Sequence, residues 1–292
     1  MVNIKRYCKK VDITDDNFIK TCIYEYLDEK WQRNNVARLF VRFSDYSFNQ
    51  IKTIVKAREY GLLNESIDYI ANYIKQSLLT EKLQLRPILY YERIDGMNKK
   101  TRIIGVQEPL HQIYDYIAVN GLMELFNVRI GVFQCSSLPK KGPFYGKKHI
   151  EKWVRETKVV YFIKSDIKQC FPSIPLDKLK EKLKRDVKNN KLLWLVFELL
   201  DMFQHGLSIG SYLSQYLSNY YLSYAYHYAN ENLFKIRKTK HKGNVKVKLI
   251  NHILFYMDDF LLTGSSKKDL KKAMNMLSEY VYTKLGLTIK PT

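Results

Sequence analysis

Residues 252–264 read HILFYMDDFLLTG, two short apolar runs with a pair of acids between them. Runs of this length around a tight turn predict a β-hairpin carrying Asp258 and Asp259 at its turn. A hairpin built for stability alone does not place adjacent carboxylates there, because a desolvated charge needs a compensating cation. At a turn, both side chains can project beyond the sheet and reach a divalent metal. A surface turn that uses Asp only for its geometry is the competing reading.

A partner acid lies upstream. The run VVYFIKSDI, residues 159–167, is an apolar strand that ends at Asp166, just before a Phe-Pro-Ser segment opens a new element. Two such strands side by side make one acidic site. Carboxylates holding two Mg²⁺ ions about 4 Å apart suit phosphoryl transfer, in which a 3′-hydroxyl attacks and pyrophosphate leaves.

Composition points to a polyanionic partner. Lys and Arg number 49 against 29 Asp and Glu, a net charge of +20 spread along the chain. With 23 Tyr and 14 Phe among them, cations can meet phosphates while rings stack on bases. A merely soluble basic protein is the plainer alternative. With 292 residues, 46% of them hydrophobic, and only 12 Gly and 7 Pro, the chain can bury a sizeable core and is poorly suited to disorder. Cys8, Cys22, Cys135 and Cys170 show neither CxxC spacing nor the density of a disulfide scaffold, and read as reduced thiols. No signal-like core opens the chain and no run reaches ~18 apolar residues, so the expectation is a cytoplasmic protein with no membrane partner.

Along the chain, helical periodicity covers roughly residues 1–85, as in Ile67, Ile70, Ile74 and Leu78. RPILYYERIDGMNKKTRIIGV, residues 86–106, predicts a hairpin turning at Asp95-Gly96, followed by a helix over 109–126. A basic loop carrying Lys140, Lys141, Lys147 and Lys148 precedes another helix, and an amphipathic helix is expected over 176–188. GLSIGSYLSQYLSN, from Gly206, reads as a glycine-containing turn opening a long helix. A turn is expected around Lys242-Gly243-Asn244, and a last helix over 267–285.

Taken together, YMDD at 256–259, SDIKQCFPSI at 165–174 and GLSIGSYLSQYLSN between them resemble motifs C, A and B of reverse transcriptases, with the likeness running over about residues 95–292. The resemblance implies an α+β fold of the right-hand polymerase type. Residues 1–86 form a helical region and the start of the fingers, 87–158 the fingers, and 159–292 a palm with an antiparallel sheet and a helical insertion at about 176–205. It implies RNA-directed DNA synthesis from dNTPs with two Mg²⁺ ions, Mn²⁺ substituting.

By position in the motifs, Asp166 and Asp258 hold both metals, Asp259 assists, and Ile167 lends its backbone carbonyl. Phe171 matches the aromatic steric gate that rejects a 2′-hydroxyl; a core phenylalanine is the alternative. Lys100 and Arg102 resemble the cations that grip the incoming triphosphate, a role open to a charged hairpin. Gly206 and Gly210 let backbone approach nucleotide and template closely, with Ser214 and Gln215 one helical turn on. LGLTIK resembles motif D, which makes Lys290 a candidate near the pyrophosphate. Tyr256 and Met257, with the four loop lysines, are the nucleic-acid contacts expected.

Ile209-Gly210 stands where retroviral and intron-type enzymes have Gln-Gly, and Ser214-Gln215 where they have Ser-Pro. The pattern IGxxxSQ is similar to reverse transcriptases of bacterial diversity-generating retroelements and to related defence-associated enzymes, bacterial or phage-encoded, and Ile209 suggests relaxed fidelity. The sequence stops at Thr292, before the motif E grip and helical thumb that the resemblance implies, so either it is a piece of a longer protein, or an accessory protein, a further subunit or the nucleic acid itself completes the cleft. Expected partners are an RNA template, a DNA primer or product, and dNTPs. An RNA-directed RNA polymerase and a catalytically idle RNA-binding scaffold are the other readings.

Overall fold

Ser47 shows how the sequence sets its first boundaries: its hydroxyl accepts from the Gln50 backbone N–H, while the Gln50 side chain accepts from Ser47 N–H, a reciprocal cap that starts a helix. The computed structural model describes residues 5–95, 100–136, 138–239 and 243–291, with Asp95 and Lys100 described by backbone alone. In order the elements are α1 (Asp16–Leu27), α2 (Asn34–Arg42), α3 (Phe48–Ala57), a 3-10 turn (Tyr60–Leu63), α4 (Asn64–Leu79), β1 (Leu89–Asp95), β2 (Lys100–Val106), α5 (Pro109–Gly121), α6 (Met123–Arg129) and α7 (Pro143–Trp153). Then follow β3 (Tyr161–Asp166), α8 (Cys170–Ser173), α9 (Leu176–Asp186), α10 (Asn190–Asp201), α11 (Tyr212–Asn232), β4 (Phe234–Thr239), β5 (Gly243–Lys248), β6 (His252–Tyr256), β7 (Asp259–Gly264), α12 (Lys267–Tyr280) and a π-turn (Val281–Leu285). The α+β class expected from sequence is the class observed.

Two compact units are formed: Met1–Leu125 with Lys180–Gln204 and Ser208–Ser214, and Phe126–Leu179 with His205–Leu207 and Gln215–Thr292. In the first, α1 packs on α4 and α5, and α5 also meets α2 and α10. Ile19, Ile23, Leu27, Ile70, Ile74 and Ile117 are all buried there. Burying each such side chain contributes roughly 1.5–3 kcal/mol, so packing rather than propensity holds these short helices. The hairpin β1–β2 pairs Leu89 with Val106 through to Asp95 with Lys100.

The second unit carries a three-stranded antiparallel sheet in the order β3-β7-β6, with α12 against β3 and β7 and α7 against β6. Phe255 and Phe260, buried and stacked at 5.4 Å, face each other across β6–β7 and fix its register. Among the described residues no helix is long and apolar enough to cross a membrane.

Several boundaries differ from the sequence expectation. The helix read over 109–126 is two, α5 and α6: Leu122, with φ −89° and ψ 0°, leaves helical geometry and caps the first before Met123 starts the second. Lys147 and Lys148 belong to α7, since Pro143 is pre-set for the first helical turn, and only Lys140 and Lys141 lie in the loop. Gly243 and Asn244 open β5 rather than forming a turn, and pair with Thr239 and Lys238 of a strand, β4, that was not expected. Lys242, like Gly96, lies outside the described residues. The last α-helix stops at Tyr280 and gives way to the π-turn.

Candidate active site

Alternation along β3, β7 and β6 puts residues opposite one another on the same face, and the register pairs Asp166 with Asp259 and Tyr256 with Asp259. The two carboxylates therefore leave the same face of the sheet, at the same end. Ser165, one residue earlier, points the other way and is buried.

Met257 and Asp258 form the two-residue turn between β6 and β7, and Met257 has φ 54°. Two-residue hairpins favour Gly or Asn at such positions, so a methionine there is a strained choice that its surroundings must support. Part of that support is a hydrogen bond from the Ile167 N–H to the Asp258 carbonyl, 3.0 Å long. Ile167 is itself buried and bridges to Ile289.

That bridge brings in Lys290. Its backbone N–H donates to the Asp166 carbonyl at 2.9 Å, its carbonyl accepts from the Ser165 hydroxyl at 3.0 Å, and its ammonium pairs with Asp166 Oδ2. The hydrogen bond to Asp166, followed by the charges of Asp166, Asp258 and Asp259, holds its pKa above the ordinary lysine value. Lys164, on the same face of β3, reaches Asp259 Oδ2 at 3.8 Å. Among the described residues no three His, Cys, Asp or Glu side chains are arranged to hold a metal ion. The ammonium of Lys290 stands at the acidic end of the sheet, where the charges of Asp166, Asp258 and Asp259 all act on it. The donors are all-oxygen and anionic, which fits hard divalent ions such as Mg²⁺ and Mn²⁺.

A cleft of about 530 Å³ opens beside these groups, lined by Lys147, Ile150, Lys164, Leu254, Tyr256 and Asp259 among others. Tyr256 is partly exposed there, on the face of Asp259. Of the other lysines, Lys141 is half-buried and donates to the Gly131 carbonyl at 3.0 Å, Lys147 pairs with Glu151 at 3.7 Å, and Lys140 and Lys148 are exposed.

Phe171 lies on α8, where its carbonyl accepts from Leu207 N–H at 2.8 Å. Gly206, with φ 51°, packs against it: a Cβ there would lie 2.5 Å from the Pro172 oxygen and 2.6 Å from that of Phe171. Gly206 is thus required by contact with the chain itself. Gln215 contributes its carbonyl, which accepts from the Asn219 side chain at 3.0 Å.

The remaining expected residues belong to the first unit. Gly105 N–H donates to the Ile209 carbonyl at 2.8 Å, and a Cβ on Gly210, whose φ is 111°, would lie 2.6 Å from the Gly105 oxygen. Gly210 too is explained by a close approach of backbone to backbone. Ser214 is buried, its N–H bound by the Ser211 hydroxyl at 3.1 Å. Arg102 stands opposite Arg93 on β1–β2, two cations on one face of the hairpin, and Lys100 begins the same strand as Arg102, opposite Asp95.

Sequence reading passed over three groups that organise these loops: Lys164, Asn219 and Asp115. Asp115, wholly buried on α5, accepts from the Ser211 hydroxyl at 2.7 Å and from Leu213 N–H at 3.4 Å. Burial pushes its carboxyl up to about 6 although those hydrogen bonds oppose the shift. No periodicity singles it out, because an acid on an otherwise apolar helix reads as a solvated face.

The model of the family described as reverse transcriptase (RNA-dependent DNA polymerase) matches residues 94–292. No curated protein sequence matches the chain. Among solved structures it is similar to apo telomerase from Candida tropicalis, at 13% identity and a TM-score of 0.42, with 95% of this chain and 61% of that one covered. The present chain thus spans less than two thirds of the telomerase chain's length. With the match covering residues 94–292, the chain belongs to the reverse transcriptase family, whose enzymes are RNA-directed DNA polymerases and hence nucleotidyltransferases.

Proposed function

We propose that this chain synthesises DNA from dNTPs on an RNA template. The observation that carries the reading is the placement of Asp166 opposite Asp259 in the β3–β7 ladder, with Asp258 at the adjoining turn and its carbonyl held by Ile167 N–H. When bound, two Mg²⁺ ions, or Mn²⁺ in their place, supply charge neutralisation for the attacking 3′-oxygen and the leaving pyrophosphate. Asp166 and Asp258 are the residues to hold them, with the Ile167 carbonyl beside them. Asp259, drawn toward Lys164, assists by its charge.

Phe171 excludes a 2′-hydroxyl, Lys100 and Arg102 bind the triphosphate, and Ile209, Gly210 and Gln215 line the nucleotide. Lys290 approaches the leaving pyrophosphate. Tyr256, Met257 and Lys140, Lys141, Lys147 and Lys148 meet the nucleic acid. In this reading residues 87–158 act as fingers and 159–292 as palm. IGxxxSQ supports a bacterial retroelement or antiphage role, with Ile209 relaxing fidelity.

A second reading, an idle RNA-binding scaffold, is favoured by one observation: the Lys290 ammonium already pairs with Asp166. Supplying the purified chain with a primed RNA template and labelled dNTPs or rNTPs decides between the two. The polymerase reading expects incorporation of dNTPs in preference to rNTPs. Incorporation of neither, with the RNA bound, supports the scaffold. The nucleic acid that co-purifies with the chain, once sequenced, identifies template, primer and biological role.

A further inference from the structure

Asn219 sits on α11 with 1% of its surface exposed, a buried polar side chain that the polymerase reading does not yet use. Burying an amide donor costs stability unless it is hydrogen-bonded, and the Nδ2 of this one is. Its Nδ2 donates to the Gln215 carbonyl at 3.0 Å and the Ser136 carbonyl at 3.1 Å, and stands 3.6 Å from the Met257 thioether. Two amide hydrogens thus serve three acceptors on three different segments.

Those segments converge on the catalytic turn. The Asn219 backbone carbonyl accepts from Gln134 Nε2 at 2.8 Å, and Gln134 Oε1 accepts from Gly131 N–H at 2.7 Å, which fixes the loop 131–136. The same loop is zipped to β6: Cys135 N–H donates to the Phe255 carbonyl at 2.9 Å, and Phe255 N–H to the Phe133 carbonyl at 2.8 Å. Met257 follows two residues later with its left-handed φ of 54° and leads directly into Asp258. An unbranched methionine specifies its own conformation poorly, so a strained methionine beside a metal ligand needs an outside grip. Asn219 provides one at the sulfur.

We propose that Asn219 is a positioning residue for Asp258, tying the Met257-Asp258 turn to α11 and to the loop 131–136. The inference rests on the polymerase reading, because it takes Asp258 to be a metal ligand. It assigns to Asn219 the task of outer-shell groups at metal sites, which orient a ligand without touching the ion.

The test uses the full chain, with Asn219→Leu removing both donors at similar volume and Met257→Leu removing only the sulfur acceptor. Mn²⁺ binding followed by electron paramagnetic resonance should weaken by about tenfold in Asn219→Leu, and by less in Met257→Leu. Hydrogen exchange at the Ile167 amide, which reports on the turn through its bond to the Asp258 carbonyl, should accelerate while the Tyr221 amide within α11 does not. In steady-state incorporation kcat should fall by about tenfold with the dNTP KM within about twofold of its original value. Mn²⁺ affinity and Ile167 exchange both unchanged in Asn219→Leu overturn the inference. Where Asn219→Leu does not fold, unchanged Mn²⁺ affinity in Met257→Leu overturns it. Incorporation that survives Asp258→Ala instead overturns the polymerase reading, whereas an inactive Asp258→Ala beside an Asn219→Leu protein equal to the original overturns only the role of Asn219.

Discussion

Gly210 places its α-carbon so close to Gly105 that a β-carbon would stand 2.6 Å from the Gly105 oxygen, and its φ of 111° is one that L side chains rarely adopt. The loop carrying Ile209 is therefore bound to β2 by the absence of a side chain as much as by the 2.8 Å hydrogen bond beside it. Gly210→Ala should destabilise the chain by about 1–3 kcal/mol in chemical denaturation, from strain and overlap together. Gly206→Ala should act in the same direction, since its Cβ meets the carbonyls of Phe171 and Pro172. Gly142, with nothing within 4 Å of an added Cβ, is the control and should tolerate alanine.

On the proposed reading, Lys290 and a divalent ion compete for the same carboxylates. Lys290→Met removes the ammonium from Asp166 and leaves its charge uncompensated. The variant should melt at a lower temperature than the original chain at low ionic strength, and should gain more in melting temperature when Mg²⁺ is added. An equal gain in both proteins would show that Lys290 does not occupy the metal site.

Two buried groups give the first unit opposing responses to pH. Burial lowers His111 from 6.5 to about 4, so the unfolded chain binds its proton first, and the stability it contributes at neutral pH is lost as pH falls from about 6.5 to about 4. Burial raises Asp115 from 3.8 to about 6, so its contribution is present below about 3.8 and is lost as pH rises to about 6. Urea melts of His111→Leu should show stability falling more steeply as pH rises from 4 to 6 than in the original chain. Asp115→Asn should show the reverse change in slope. Parallel profiles in all three proteins would contradict the burial argument.

On the proposed reading the Phe171 ring is the surface that discriminates against a 2′-hydroxyl, and since it is the carbonyl that holds Leu207, trimming the ring leaves the backbone clamp in place. Phe171→Val should reduce the preference for dNTPs over rNTPs by about 10- to 100-fold, read as the ratio of kcat/KM values. A preference that does not change returns Phe171 to a packing role.

The acids were legible in the sequence because they stand out from apolar surroundings: Asp258-Asp259 interrupts two runs that bury themselves as β6 and β7, whereas the run ending at Asp166 leaves Val160, Tyr161 and Phe162 exposed, and the β3–β7 register pairs Asp166 with Asp259. The long helix after Gly210 was legible for the same local reason, a glycine turn followed by regular periodicity. The strand β4 was not, since FKIRKT shows three cations and only two apolar residues, and its partner β5 alone reads as half of a hairpin. Asn219 and Asp115 were hidden for a different reason. Their partners, Met257 and Ser136 for one and Ser211 for the other, are distant in sequence, and a single polar residue in a helix carries no mark of what it will meet.

The central claim is that Asp166, Asp258 and Asp259 form the centre for nucleotidyl transfer, and extension of a primed RNA template by Asp258→Ala tests it most directly. The account predicts dNTP incorporation reduced to background while the variant binds the template as tightly as the original chain and melts at a similar temperature. Incorporation at the original rate would contradict it.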